Sequence, residues 1–322
     1  MSEAIAVEDL EVPTEPGSPV IQARELARWY GQVVGLTDLT VDIPTGITGL
    51  LGPNGAGKST FMRLLTGQLH PSSGSVWLLG RNPVFQPEVF HEVGFCSEDD
   101  ALYDDMFALD MVTFLARCAG FDAKEARERS AQALERCGMA HAMDRRCGGF
   151  SKGMRQRTRI AAALVHDPKL LLLDEPMTGL DPVGRRDVVD ILEKFAAGGG
   201  SVLFSSHILH EVEAVATHVA IMNKGMLLAE GTLGQIQEEL EDYAFTLQVR
   251  CSDTRALAKA LVEHEHVVSV AFDGDDGASI ASSSSRALTE ELPRLALALG
   301  IEVFEFSCPG EDLETLFQRL MR

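Results

Sequence analysis

The sequence predicts an α/β fold with a mixed sheet at its centre, followed by a small α+β domain, and three observations carry that prediction. An apolar run, Ile47–Leu51, leads directly into Gly52-Pro53-Asn54-Gly55-Ala56-Gly57-Lys58-Ser59-Thr60, which reads G-x-x-x-x-G-K-S. A second apolar run, Leu170–Leu173, ends in Asp174-Glu175 and has the character of a buried parallel strand delivering two carboxylates at its carboxyl end. Beyond residue 243 the pattern changes to strand, helix, strand, strand, helix, strand.

In chain order, residues 1–19 are acidic and rich in proline, glycine and serine (Pro13, Pro16, Gly17, Ser18, Pro19), which predicts a disordered tail. Residues 20–90 alternate short strand-like segments with turns around one helix over 58–65, the pattern of an antiparallel β part joined to a nucleotide-binding core. In the loop at 52–60 the glycines let successive backbone N–H groups turn toward phosphate. Lys58 has the reach to touch β- and γ-phosphates, Ser59 can hold Mg²⁺, and the helix that follows points its positive end at the anion. ATP or GTP is therefore the expected ligand. Residues 99–159 are mostly helical in pattern and predict a helical subdomain. Asp174 and Glu175 are expected to belong with the loop to one site: in a phosphate-loop ATPase the aspartate at this place steers Mg²⁺, usually through water, and the next glutamate can accept a proton from the water that attacks the γ-phosphate.

The tail end of the chain reads as strand 244–250, helix 254–263, strand 267–272, strand 278–282, helix 287–299, strand 301–306 and a last helix 313–321. That β-α-β-β-α-β order predicts a ferredoxin-like domain over 243–322. Asp273-Gly274-Asp275-Asp276-Gly277 supplies its hairpin turn; the spacing lacks the twelfth-position glutamate of a calcium loop.

Composition narrows the function further. The 322 residues are 45% hydrophobic and 24% charged, enough to bury two cores, and the net charge of −20 argues against a nucleic-acid partner. Six cysteines form no C-x-x-C pair, so reduced thiols are expected and a zinc site is not. His264-Glu265-His266 and the pair His207 and His210 have too few neighbouring ligands to hold a metal. The start of the chain lacks the basic end and apolar core of a signal peptide, and no apolar run reaches the length of a membrane span, which predicts a cytoplasmic protein.

Between loop and carboxylates lies Phe150-Ser151-Lys152-Gly153-Met154-Arg155-Gln156-Arg157, and with it the chain resembles the ABC-type ATPases. Ser151, Lys152, Gly153 and Met154 stand where that family has its signature motif, typically L-S-G-G-Q. Gly179-Leu180-Asp181 resembles the D-loop, Ser205-Ser206-His207 the switch-histidine motif, and Trp29-Tyr30-Gly31 the A-loop, whose tyrosine stacks on adenine. The resemblance covers residues 20–235 and implies a phosphate-loop ATPase of the ABC type, with mixed-sheet core, antiparallel β subdomain and helical subdomain. It also implies that Ser151 and Gly153 contact ATP held by a second nucleotide-binding domain. Only one copy of each motif occurs here, so a full site calls for a second chain, most simply another copy.

Two positions depart from the family pattern. Glu98 stands where the Q-loop usually has a glutamine that binds Mg²⁺; a carboxylate is a hard ligand but cannot donate a hydrogen bond. Lys152 replaces the first signature glycine, and its charge is expected to point to solvent. The cluster Lys152, Arg155, Arg157 and Arg159 reads as solvated and phosphate-facing. Leu102, Tyr103, Met106 and Phe107, just beyond Glu98, lie where the family docks on its membrane partner, and exposed apolar side chains there would make that contact. The resemblance is strongest to ATPases of ABC-2 exporters, several of which carry a small C-terminal domain. It implies an ATP-hydrolysing subunit that works with Mg²⁺, dimerises around two ATP molecules and drives a separate permease from the inner face of the membrane. The alternatives are an ABC ATPase powering a non-transport membrane machine, and a nucleotide-gated regulatory module with weak hydrolysis.

Overall fold

Residues 18–100, 102–236, 245–274, 276–283 and 285–307 are described by the computed structural model. They divide into two units, one ending at Glu230 and the other beginning at Gly231. Most of the tail expected over 1–19 and the last helix expected over 313–321 lie outside the described residues.

In the first unit, apolar runs become strands buried on both faces. β3 (Ile47–Leu51), β6 (Leu170–Leu173) and β7 (Ser201–Ser206) are buried at every position, as expected of central strands in a sheet covered on both sides. With β5 (Val93–Cys96), β8 (His218–Asn223) and β9 (Met226–Gly231) they form a six-stranded sheet in the order β5-β6-β7-β3-β8-β9. The pairs β5–β6, β6–β7, β7–β3 and β3–β8 are parallel. β8 and β9 are joined by Lys224-Gly225, both at positive φ (49° and 81°), the backbone that a two-residue hairpin turn of the primed type demands.

A smaller antiparallel sheet precedes it. β1 (Ile21–Tyr30) lies between β2 (Val33–Ile43) and β4 (Ser73–Leu78). β1 starts with regular alternation, Ile21 and Ala23 inward, then bulges at Arg24 and Glu25, where Glu25 takes φ 49°. The bulge brings both Leu26 and Ala27 inward and re-aims the strand end that carries Tyr30. Between the sheets runs α1 (Lys58–Leu65), starting where the sequence predicts. Its Phe61, Met62, Leu64 and Leu65 enter the same core as Leu26, Leu36 and Leu50, each buried side chain contributing about 1.5–3 kcal/mol.

The helical part consists of α2 (Ala108–Cys118), α3 (Ala123–Arg136) and α4 (Lys152–Leu164). Asp122 caps α3 by accepting from the N–H groups of Lys124 and Glu125, both at 2.9 Å. α5 (Pro182–Ala197) and α6 (Leu209–Glu213) complete the unit. Among the described residues no helix is long and apolar enough to cross a membrane. Five described cysteines carry free thiols, and burial pushes Cys137 up to about 12, so it serves as core rather than nucleophile.

The second unit runs β10 (Phe245–Cys251), α7 (Thr254–Leu261), β11 (Val267–Asp273), β12 (Gly277–Ser282), α8 (Ser285–Leu299) and β13 (Val303–Ser307). The sheet order is β11-β12-β10-β13 with every pair antiparallel, the ferredoxin-like arrangement read from the element order. Leu247, Val249, Ile280, Leu257, Leu261, Leu288 and Leu292 form its core. The last strand begins at Val303 rather than Ile301, because Gly300 leaves α8 at φ 65° and the next two residues carry the chain back to the sheet.

Candidate functional site

β7 lies between β6 and β3, so three neighbouring parallel strands present Asp174-Glu175, His207 and the 52–60 loop side by side at their carboxyl ends. Gly52 N–H donates to the Ser206 carbonyl (3.2 Å), tying the loop to the strand that carries His207. Gly57 sits before α1 at φ 105°, and the first turn of the helix holds no acidic side chain. The helix end is therefore electrostatically open to an anion.

Lys58 is buried, 5% exposed; its Nζ donates to the carbonyls of Gly52 (2.6 Å) and Pro53 (3.2 Å) and lies 3.2 Å from Glu175 Oε1. Glu175 Oε2 accepts from Thr178 Oγ1 at 2.8 Å and meets His207 Nδ1 at 2.9 Å. Burial pushes the Glu175 carboxyl up, but the bonds from His207 and Thr178 and the charge of Lys58 outweigh it, and the group is held below the ordinary glutamate value. An ionised carboxylate can only accept, so the ring proton of His207 sits on Nδ1 and Nε2 is left for other contacts. Glu175 itself takes φ 49°, a left-handed backbone that holds its side chain off the line of β6.

Asp174, 6% exposed, accepts from Ser205 Oγ at 2.6 Å, and the same hydroxyl accepts from Glu175 N–H at 2.8 Å. Among the described residues no cation pairs with the buried Asp174 carboxyl, which is held by the Ser205 hydroxyl. A buried carboxyl at the strand end next but one to the loop that carries Ser59 fits a hard divalent cation such as Mg²⁺. Glu98, expected as a further ligand, is exposed just beyond the end of β5.

Tyr30 ends β1, 40% exposed. Its ring edge lies 2.8 Å from where a Cβ on Gly35 would stand, and the Thr60 methyl lies 3.3 Å from the same point, so the ring borders the phosphate loop's helix. Ser151 caps α4 by accepting from Met154 N–H (3.3 Å), so the helix starts at Lys152, inside the motif. Asp181 caps α5 in the same way, accepting from Gly184 N–H at 2.8 Å. The two helix starts meet: Gly184 Cα is 3.9 Å from where a Cβ on Gly153 would stand.

Two expectations are corrected here. Leu102 is buried and Met106 half-buried, leaving Tyr103 and Phe107 as the exposed members of that group; the segment folds its aliphatic side chains inward. Lys152 is exposed, and its ammonium lies against Gly179 in the loop that leads to Asp181. The arginines around α4 are struts rather than solvated or phosphate-facing groups. Arg155 bonds Asp100 (2.6 Å) and Asp104 (2.7 Å), Arg157 pairs with Asp187 (3.0 Å), and Arg159 donates to the Ser97 carbonyl. Each guanidinium has at least one partner far along the chain, where motif spacing gives no signal.

Sequence reasoning also missed three polar residues, Thr178, Glu211 and Arg185, and the bridge that Ser205 makes between Asp174 and the Glu175 N–H. Glu211, 3% exposed, accepts from Ser206 Oγ at 2.7 Å and lies 3.5 Å from Arg185 Nε, which joins the His207 turn to α5. Its only signal is the placement of an acid four residues after His207 on α6.

This arrangement can hold a triphosphate, neutralise it with a buried lysine and present an ionised carboxylate oriented by a histidine. The profile of the family described as ABC transporter matches residues 36–178. The chain is 32% identical over 314 residues, 95% of its length and 93% of the other, to the daunorubicin/doxorubicin resistance ATP-binding protein of Streptomyces peucetius. It is 32% identical over 310 residues, 94% of its length and 98% of the other, to the bacitracin transport ATP-binding protein of Bacillus licheniformis. Among solved structures, an ATP-binding subunit of an ABC transporter superposes with a TM-score of 0.61 at 27% identity, covering 68% of this chain and 92% of that one.

Proposed function

Because the chain belongs to the ABC transporter ATP-binding proteins and is an ATPase of that family, we propose that it is the ATP-hydrolysing subunit of an ABC-2-type exporter, two copies of which close around two ATP molecules and drive a separate membrane permease. Residues 20–235 are the nucleotide-binding domain and 243–322 an accessory domain. The observation that carries this reading is the buried pair Lys58 and Glu175 with the half-buried His207 on the same carboxylate, gathered from three strand ends beside a phosphate loop. The relatives named for drug resistance and bacitracin transport support the exporter assignment.

ATP enters with adenine on Tyr30 and its phosphates in the cradle of residues 52–60. Lys58 leaves the carbonyls of Gly52 and Pro53 and the Glu175 carboxylate for the β- and γ-phosphates, which frees Glu175 to accept a proton from water. His207, fixed through Nδ1 to Glu175, turns Nε2 to the γ-phosphate. Ser59 and Asp174 would hold Mg²⁺, which supplies positive charge against the phosphates. Ser151 and the Gly153 N–H, at the start of α4, meet the γ-phosphate held by the other copy, and Asp181 lies across the same joint. Loss of the γ-phosphate opens the clamp.

The permease docks near Tyr103 and Phe107. Arg155 bonds Asp100 and Asp104 on this segment and itself lies on α4, so a displacement of the signature helix is transmitted to that surface through charged bonds. Attachment to the permease holds the protein on the inner face of the membrane. The test is affinity capture of the Glu175→Gln variant from membranes with ATP and Mg²⁺. Co-purification of a multi-helix integral membrane protein supports the transporter reading; a soluble partner, or none, counts against it.

A further inference from the structure

Behind the ring of Tyr30 stands Arg28, its guanidinium carbon 5.1 Å from the ring centroid. β1 changes register on both sides of Arg28, so the residue sits in a bulge that turns its side chain along the strand end. Nη1 donates to the His70 carbonyl at 2.9 Å, and the neighbouring Trp29 N–H donates to Ser72 Oγ at 3.1 Å. Both bonds anchor the strand end to the loop that follows α1. Nε is buried without a hydrogen-bond partner, and among the described residues no carboxylate pairs with Arg28. The charge is therefore directed at the aromatic ring rather than neutralised by an acid.

A cation on one face of a phenol draws π density toward itself and leaves the opposite face less negative. A purine, rich in π electrons, stacks better on such a face. The same contact holds the ring in one orientation before the nucleotide arrives, which lowers the ordering cost of binding. We propose that Arg28 is a positioning residue for the nucleotide base, acting through Tyr30 by holding and polarising the ring on which adenine stacks. This rests on the reading of Tyr30 as the adenine platform. Arg28 has no role toward the phosphates, which lie in the backbone cradle of the loop.

Calorimetric titration of the full chain with Mg²⁺-ATP and, separately, with Mg²⁺-tripolyphosphate, which has no base, separates these roles. Arg28→Met is expected to weaken ATP roughly two- to fivefold while tripolyphosphate binding stays unchanged, and to raise KM for hydrolysis with kcat unaltered. Arg28→Lys should restore part of the loss, because it keeps the charge. Tyr30→Ala should weaken ATP roughly tenfold, again without effect on tripolyphosphate, and adding Arg28→Met to it should cost nothing more. Arg28→Met that binds ATP as the wild type does, or that weakens both ligands alike, overturns the proposal. ATP binding left intact by Tyr30→Ala overturns the platform reading instead.

Discussion

Lys58 and Glu175 face each other at 3.2 Å with 5% and 6% of their side chains exposed, and the consequences of that burial can be measured residue by residue. Removing one partner of a buried pair leaves the other charge without compensation, which costs about 3–5 kcal/mol. Lys58→Ala should therefore lose ATP affinity and also unfold at a markedly lower urea concentration, with Lys58→Ala/Glu175→Gln recovering part of the stability. Equal urea midpoints for the single and double variants would contradict the pairing. The pH dependence has a definite sign. Because the folded-state carboxyl of Glu175 is held below its ordinary value, its contribution to stability is present above the ordinary glutamate range and is lost as pH falls through the depressed value. The stability difference between wild type and Glu175→Gln should shrink on acidification, and a gap that stays constant down to strong acid would show that the interaction does not favour the ionised form. Lys58, Glu175 and His207 were legible in the sequence because each stands inside a short pattern. Glu211 and Arg185 were not, since 26 positions separate them and only the fold brings Arg185 Nε within 3.5 Å of the Glu211 carboxylate.

At the scale of elements, helix starts and strand ends do most of the positioning. Ser151 and Asp181 are each cap and motif residue at once, so a substitution there has two effects that need separating. Ser151→Ala removes a cap and should cost about 0.5–2 kcal/mol, whereas Ser151→Asn, which also caps, should restore stability without restoring turnover if the hydroxyl contacts phosphate. Stability and activity recovering together would place the residue's role in capping alone. Arg155 joins α4 to the segment after β5 through Asp100 and Asp104. Arg155→Met should raise amide hydrogen exchange over 98–107 and leave exchange in β3, β6 and β7 unchanged; unaltered exchange in that segment would show that the bonds do not hold it. The strands buried on both faces and α1 follow their apolar patterns closely. The inward turn of Leu102 was hidden, because in a run as short as 102–107 no periodicity distinguishes a side chain that packs from one that docks.

For the whole molecule, the two units each have a core of their own, one shared by both sheets and α1, the other closed by β10 to β13 with two helices. A chain ending at residue 236 should still bind ATP, and loss of binding on that truncation would show that the nucleotide site depends on the second unit. Both architectures were readable from element order, since β-α-β-β-α-β admits few sheet orders and a phosphate loop between strand and helix fixes the place of the first helix. Each chain holds the phosphate loop and its carboxylates once, and the signature motif once, on a helix start that meets the D-loop helix. The most direct test is the mass of Glu175→Gln by light scattering, with and without ATP and Mg²⁺. A monomer is expected without nucleotide and a dimer holding one ATP per chain with it; a variant that binds ATP fully and stays monomeric at every concentration would contradict closure of two copies around ATP.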